Sequence, residues 1–358
     1  MTPLQKFQQA LASLEADGAI ISSTLNQRYL SGFDYSDGYL LVTPDHAFLL
    51  ADFRYTEAAK QTVSDEWQIL RPTGTMLDGL KELISSLGLR RVALEDATLS
   101  CAGYNSFQKA FEGCTLCTGA SALLSNLRRI KSPEELEKIG RAQAITDLAF
   151  EHILGFLSPD QTEREVALEL EFFMRRQGAE DVAFHTIAVS GAASSLPHGV
   201  PSDVKLRNGF LTMDFGAKLD GYCSDMTRTV VIGKADEDMK RLYHTVLGAQ
   251  EAALSQICEG MLCRDADEIA RSVIRNAGYG ECFGHSLGHG VGLYIHEQPS
   301  LSGRAAENSR LERGNVVTVE PGIYLEGKYG CRIEDMIAID YDGSVRNFTK
   351  SPKNLIEI

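Results

Sequence analysis

Two pairs of acidic residues, each set astride a turn signal, most constrain what this chain can fold into. Asp214 in TMDFGA and Asp225 in CSDMTRT flank Lys218-Leu219-Asp220-Gly221, whose Asp-Gly step favours a tight hairpin turn. A turn centred between Leu219 and Asp220 sets Asp214 directly opposite Asp225; centring it on Asp220-Gly221 makes them diagonal neighbours. Side chains alternate faces with a period of two along a strand, so either register brings both carboxylates to one face. Glu320 in TVEPGIY and Glu334 in CRIEDM repeat the design around Glu326-Gly327-Lys328, where a loop centred on Gly327 sets the glutamates opposite each other. Val316, Val317, Val319, Ile333, Ile337 and Ile339 supply β-branched flanks. Pro321 has no N–H to donate and predicts an irregular ladder beside Glu320.

Four ionised carboxylates crowded onto two hairpins repel one another, and burying them unpaired costs several kcal/mol each or forces protonation. Two divalent cations cancel that charge. The motif HSLGHGVGLYIHE adds three histidines, and His289 completes a cage with Asp214, Asp225, Glu320 and Glu334. Oxygen-rich coordination with one imidazole suits manganese, cobalt, zinc or iron better than a soft copper site.

The ordered set Asp214, Asp225, His289, Glu320 and Glu334, with HSLGHGVGLYIHE and VEPGIY, resembles the pita-bread metallopeptidases, the group of aminopeptidase P, prolidase and methionine aminopeptidase. The resemblance is strong over residues 125 to 358 and less specific over residues 1 to 125, which are similar to the amino-terminal domain of the aminopeptidase P and prolidase branch. It implies an α/β two-domain chain: a creatinase-like α/β domain, residues 1–125, and a pita-bread α+β catalytic domain, residues 126–358, with an internal pseudo-two-fold repeat. It further implies two divalent metal ions, manganese first with cobalt or zinc as alternatives, and a peptide substrate with proline in second position. By the same resemblance Glu320 acts as proton acceptor, His285 and His296 line the substrate site, and His198 in SLPHGVP is a substrate-side histidine. Phe184 becomes a wall of the proline pocket, and Tyr324 and Arg332 position substrate or ligands.

The activity so implied is hydrolysis of the bond between an N-terminal residue and proline. A hydroxide bridging two cations is acidified by their charge and attacks the carbonyl near neutral pH, while His198 or His296 steadies the oxyanion. LADFRYTEAA in the front domain favours Xaa-Pro aminopeptidase, with Xaa-Pro dipeptidase as the alternative. The long front domain and Tyr294-Ile295-His296 fit methionine aminopeptidase less well, and the complete ligand set argues against creatinase or a non-catalytic binding protein. Related enzymes are often dimers, so a homodimer is expected.

A net charge of −14 argues against a nucleic-acid partner, which needs a basic footprint. The start, MTPLQKFQQALASLEADG, spaces Leu4, Phe7, Leu11 and Leu14 in helical rhythm and reads as an amphipathic helix ending near Gly18, not as a targeting segment. Eighteen apolar residues never run together, so no membrane span is expected. Eight scattered cysteines, with a solitary Cys114-x-x-Cys117, read as reduced thiols and point to the cytoplasm.

The front domain alternates helices and strands, with a hairpin from Tyr39–Val42 through Pro44-Asp45 to Phe48–Leu50. Ser132-Pro133-Glu134-Glu135 is a capping-box start for a long helix to about Leu157, and Thr162 opens another that stops near Gly178. A helical stretch from about Asp236 to Ile257 and a capping signal at Asp265 repeat this order. Thr162 to Asp265 is an offset of 103 residues and Asp214 to Glu320 one of 106, which predicts an internal duplication with one carboxylate hairpin in each half.

Overall fold

Ser132 accepts the amide of Glu135, and the Glu135 carboxylate accepts the amide of Ser132, so the capping box satisfies two otherwise orphaned donors where the second half of the chain begins. The computed structural model describes residues 1–358 and divides them into two compact units, Met1–Arg128 and Arg129–Ile358. The division follows the end of helix Ala120–Arg128, whereas a boundary at residue 125 falls inside it.

The first unit runs α1 (Pro3–Ala10), β1 (Gly18–Ile21), α2 (Thr24–Ser31), β2 (Gly38–Val42), β3 (Ala47–Ala51), α3 (Phe53–Thr62) and β4 (Trp67–Leu70). It closes with α4 (Met76–Ser86), β5 (Arg91–Leu94), α5 (Cys101–Ala110), β6 (Thr115–Cys117) and α6 (Ala120–Arg128). Its mixed six-stranded sheet has the order β4-β3-β2-β1-β5-β6. Only β1–β2 and β2–β3 pair antiparallel, and Leu41, Leu50, Leu80, Val92 and Phe107 fill a core beneath the sheet. The amphipathic start is shorter than its hydrophobic rhythm predicts: α1 gives way to a 3-10 turn at Leu11–Leu14, and Glu15 takes a left-handed φ of 50°.

The second unit opens with α7 (Pro133–Phe156), α8 (Glu163–Arg176), β7 (Asp181–Val182), β8 (Ile187–Ser190), β9 (Gly209–Phe215), β10 (Ala217–Leu219), β11 (Tyr222–Cys223) and β12 (Met226–Ile232). It then repeats the plan with α9 (Glu237–Gln256), α10 (Cys263–Asn276), β13 (Gly288–Gly290), β14 (Glu297–Leu301), β15 (Val316–Val319), β16 (Gly322–Leu325), β17 (Tyr329–Arg332), β18 (Asp335–Ile339) and β19 (Val345–Asn347). The sheets β12-β9-β8 and β14-β13-β15-β18-β19 pack against the helix pairs through two apolar cores, one around Phe150, Val166 and Met213, the other around Leu242, Ala270 and Val317.

The duplication is closer than the predicted offset. Helices α8 and α10 each have 14 residues and start 100 positions apart, at Glu163 and Cys263. Asp265 is not the cap: Leu262 stands at that position without a side-chain bond, and Asp265 lies in the first turn, where an acid complements the helix dipole instead. The N-cap residues are bridged alike, Thr162 to Lys205 and Leu262 to Arg310.

Each carboxylate hairpin is a long ladder with a break in it. In the first, β9 pairs β12 with Asp214 opposite Thr227, and β10 pairs β11 with Leu219 opposite Tyr222, all in one register about the Asp220-Gly221 turn. This is the diagonal arrangement of Asp214 and Asp225. Between the ladders Gly216 admits no side chain, because a Cβ there would lie 1.9 Å from the carbonyl oxygen of Ser224. In the second, Val319 faces Asp335 and Gly322 faces Arg332, so Glu320 and Glu334 oppose each other in the gap, where Pro321 interrupts the ladder.

Candidate active site

The breaks free carboxylates from the pleat and let them converge. Asp225 and Glu334 are almost fully buried, and with His289 they bring one ligand atom each to within 4.8 Å of the others. Gly288 and Gly290, which carry His289 between them, pack against neighbouring backbone so closely that a Cβ at Gly288 would sit 2.0 Å from the carbonyl oxygen of Thr318. The His289 ring is oriented by its Nδ1, 3.0 Å from the carbonyl oxygen of Gly290. That bond places the proton on Nδ1 and leaves the Nε2 lone pair aimed at Asp225 Oδ2, 3.5 Å away, and Glu320 Oε1, 3.4 Å away.

Hydroxyls fix the carboxylates from behind. Thr227 Oγ1 donates to Glu334 Oε2 at 2.7 Å, and Thr318 Oγ1 donates to Glu320 Oε1 at 3.2 Å. The guanidinium of Arg332, 4% exposed, donates to Asp214 Oδ2 at 2.6 Å and to the Tyr324 hydroxyl at 2.7 Å. Asp214 Oδ1 is buried and has no hydrogen-bond partner.

Without a cation this cluster is electrostatically unsettled. Burial and then the facing charges of Glu334, Asp214 and Glu320 raise the Asp225 carboxyl well above its ordinary range. Burial, followed by Glu320 and Asp214, does the same to Glu334, and burial raises Glu320. The imidazole of His289 is held below its usual value by burial, which keeps it neutral and able to bind a metal. An orphaned buried oxygen, mutually repelling carboxylates and a correctly tautomerised imidazole fit a pair of divalent cations held by Asp214, Asp225, His289, Glu320 and Glu334.

The cluster forms the floor of a cavity of about 490 Å³. Phe184, His198, His285, His296 and Arg332 line it, together with the apolar Ile187 and Ile295. The ring of His296 meets that of His289 edge to face with centroids 4.4 Å apart. His285 is fully engaged: its Nδ1 lies 2.8 Å from the Ser286 carbonyl oxygen, and its Nε2 lies 3.0 Å from the Tyr324 hydroxyl. Because Arg332 donates to that hydroxyl, the tyrosine O–H in turn donates to His285 Nε2. Burial lowers the basicity of His285 and raises the Tyr324 hydroxyl to about 12, so the chain Arg332–Tyr324–His285 holds a fixed set of protons. Tyr324 thus stands behind the cavity wall rather than in it.

Sequence reading did not identify Thr227, Thr318 or Ile295, because a threonine in a strand looks like any β-branched residue until its partner strand is known. It also passed over the buried ion pair of Lys131 and Glu297, whose Nζ and Oε2 are 3.0 Å apart beneath the segment that carries His296. A lysine just before a helix and a glutamate after a histidine carry no pairing signal across 166 residues of chain.

Residues 137–340 match the model of metallopeptidase family M24, and residues 3–130 match that of the Creatinase/Prolidase N-terminal domain. The chain is 42% identical to the uncharacterized peptidase YqhT of Bacillus subtilis, over 99% of both proteins. It superposes on the Xaa-Pro dipeptidase of Bacillus anthracis with a TM-score of 0.95 and 39% identity, covering 99% of each chain. It also superposes on the X-Pro aminopeptidase of Thermotoga maritima with a TM-score of 0.90 and 37% identity, covering 98% of this chain and 100% of that one.

Proposed function

The chain belongs to metallopeptidase family M24, with a Creatinase/Prolidase N-terminal domain followed in the sequence by a pita-bread catalytic domain, and we propose from this premise that it hydrolyses the bond between an N-terminal residue and proline. One observation carries the reading: the converged Asp225, His289 and Glu334, with the unpartnered oxygen of Asp214, lie under a cavity walled by Phe184 and imidazoles. Two divalent cations on Asp214, Asp225, His289, Glu320 and Glu334 supply Lewis acidity toward water and the scissile carbonyl. Manganese is the first assignment, with cobalt or zinc next, carried over from the family resemblance.

The protein's own groups do the rest. Glu320 accepts the proton of the attacking water and delivers it toward the leaving imide nitrogen. His198 and His296 line the cavity and hydrogen-bond the oxygen that gains charge. Burial holds His296 below its usual value. Phe184 and Ile295 receive the proline ring, whose lack of an N–H suits a wall without an acceptor. His285, Tyr324 and Arg332 hold the cavity floor in place.

Xaa-Pro dipeptides are the first substrate, supported by the Bacillus anthracis dipeptidase at 39% identity. Cleavage of longer Xaa-Pro peptides, first in the sequence reading, becomes the second reading, supported by the Thermotoga maritima aminopeptidase at 37%. Comparing Ala-Pro with Ala-Pro-Ala in the presence of manganese, cobalt or zinc decides: cleavage confined to the dipeptide supports a dipeptidase, cleavage of both an aminopeptidase, and cleavage of neither overturns the proposal. Eight free cysteines support a reducing, cytoplasmic setting, and no helix is long and apolar enough to cross a membrane. A homodimer, carried over from the family resemblance, is tested by light scattering.

A further inference from the structure

Two buried acids that take no part in the metal cage, Glu163 alone and Asp267 together with Arg271, fasten both ends of a loop that presents a substrate-side histidine. Glu163, the first residue of α8, is 3% exposed. Its Oε1 accepts the amide and hydroxyl of Ser190 at 2.7 and 3.0 Å, and its Oε2 accepts the amide and hydroxyl of Ser202 at 3.2 and 2.8 Å. One carboxylate oxygen thus holds each end of the segment that carries His198.

The second repeat reaches the same result by another route. The position equivalent to Glu163 is Cys263, which has no carboxylate, and the task moves one helical turn along to Asp267, 1% exposed. Asp267 Oδ1 accepts the amide of Leu287 at 2.9 Å, and the carboxylate grips Arg271 through Nε at 2.7 Å and Nη2 at 2.9 Å. Arg271 then donates from Nη1 to the Phe283 carbonyl at 2.9 Å and from Nη2 to the His285 carbonyl at 2.8 Å, with its guanidinium over the Phe283 ring. Carboxylate and guanidinium together fasten both ends of the segment 283–287 around His285.

We infer that Glu163 and the Asp267–Arg271 pair are positioning residues that set the two histidine walls of the substrate cavity, acting through His198 and His285 respectively. The inference rests on the proposed Xaa-Pro reading. A loop of irregular backbone has no ladder to hold it, and a charge-assisted bond at each end is stronger than a neutral one. Backbone displacement of about 1 Å at such a site costs on the order of a hundredfold in rate.

Double-mutant cycles test this. Arg271→Ala should lower kcat/KM on Ala-Pro by on the order of ten- to a hundredfold, yet change little when His285 is already alanine. Glu163→Gln should behave the same way in a His198→Ala background. Calorimetric titration with manganese should give the same stoichiometry in each variant as in the wild type, and hydrogen exchange in residues 283–287 should accelerate in Arg271→Ala. Should Arg271→Ala fail to fold, Arg271→Lys, which keeps the pair with Asp267 but not the fork to two carbonyls, enters the same cycle. Additive losses, or unchanged exchange in the loop, overturn the positioning role while leaving the peptidase reading intact. A wild-type protein inert toward both Ala-Pro and Ala-Pro-Ala overturns both.

Discussion

Arg332 holds Asp214 by one oxygen only: Nη2 lies 2.6 Å from Oδ2, while Oδ1 is left buried and unpartnered. The guanidinium therefore orients the carboxylate and leaves its second oxygen for a cation. Removing one member of a buried pair strands the other, at a cost of about 3–5 kcal/mol. Arg332→Met should lower the denaturation midpoint of the metal-free protein accordingly, and an unchanged urea midpoint would show the pair to be dispensable.

Asp225→Asn should separate catalysis from folding. The amide keeps the shape of a ligand but loses its charge, so hydrolysis of Ala-Pro should fall to background. Because Asp225 is strained by burial and by Glu334, Asp214 and Glu320, the metal-free variant should melt no lower than the metal-free wild type. Thermal melts with and without manganese check this, and an active or markedly less stable variant contradicts the assignment.

The same crowding gives metal removal a pH signature. Asp225 and Glu334 are raised well above their ordinary range, so the folded, metal-free chain binds more protons than the unfolded one between the ordinary carboxylate range and the raised values. Its stability therefore falls as pH rises through that window. His285, His289 and His296 are lowered by burial and act in the opposite sense, but only below the ordinary imidazole value of 6.5. Above it the carboxylates act alone. As pH rises above the ordinary carboxylate range, the melting temperature of chelator-treated protein should fall relative to that of the manganese-loaded protein; parallel curves would refute the account.

Phe184→Ala should weaken the proline wall. Losing apolar contact with the ring costs about 1–3 kcal/mol, a roughly ten- to two-hundredfold loss in kcat/KM, with manganese stoichiometry retained. Steady-state kinetics on Ala-Pro and Ala-Ala check the specificity, since the loss should be confined to the proline substrate.

The carboxylate hairpins were legible in the sequence because strand side chains alternate strictly, so spacing about a turn fixes the face whichever register is adopted. The spacing alone left two registers open for Asp214 and Asp225; the turn decides, with Asp220 and Gly221 both at left-handed φ, 50° and 83°. The start of α10 was misread because Asp265 resembles a cap, while Leu262 gives no signal at all. Glu163, Asp267 and Arg271 were invisible as functional groups for a different reason. Each binds backbone that returns from elsewhere in the chain, and backbone amides and carbonyls look alike in every sequence. The helical pattern marked α8 and α10 as scaffolds but could not show what their buried charges grip.

The inner and outer ladders of each hairpin share a single register. Seven residue pairs lock β9 to β12 on the helix side of the break, and the Asp220-Gly221 tip lies beyond it. Those seven pairs fix Asp214 independently of the tip, while Asp225 sits in the break between the two ladders. The shared register thus ties the spacing of the two acids to the length of the segment between them: an insertion of one residue between Asp214 and Asp225 would turn one carboxylate to the opposite face.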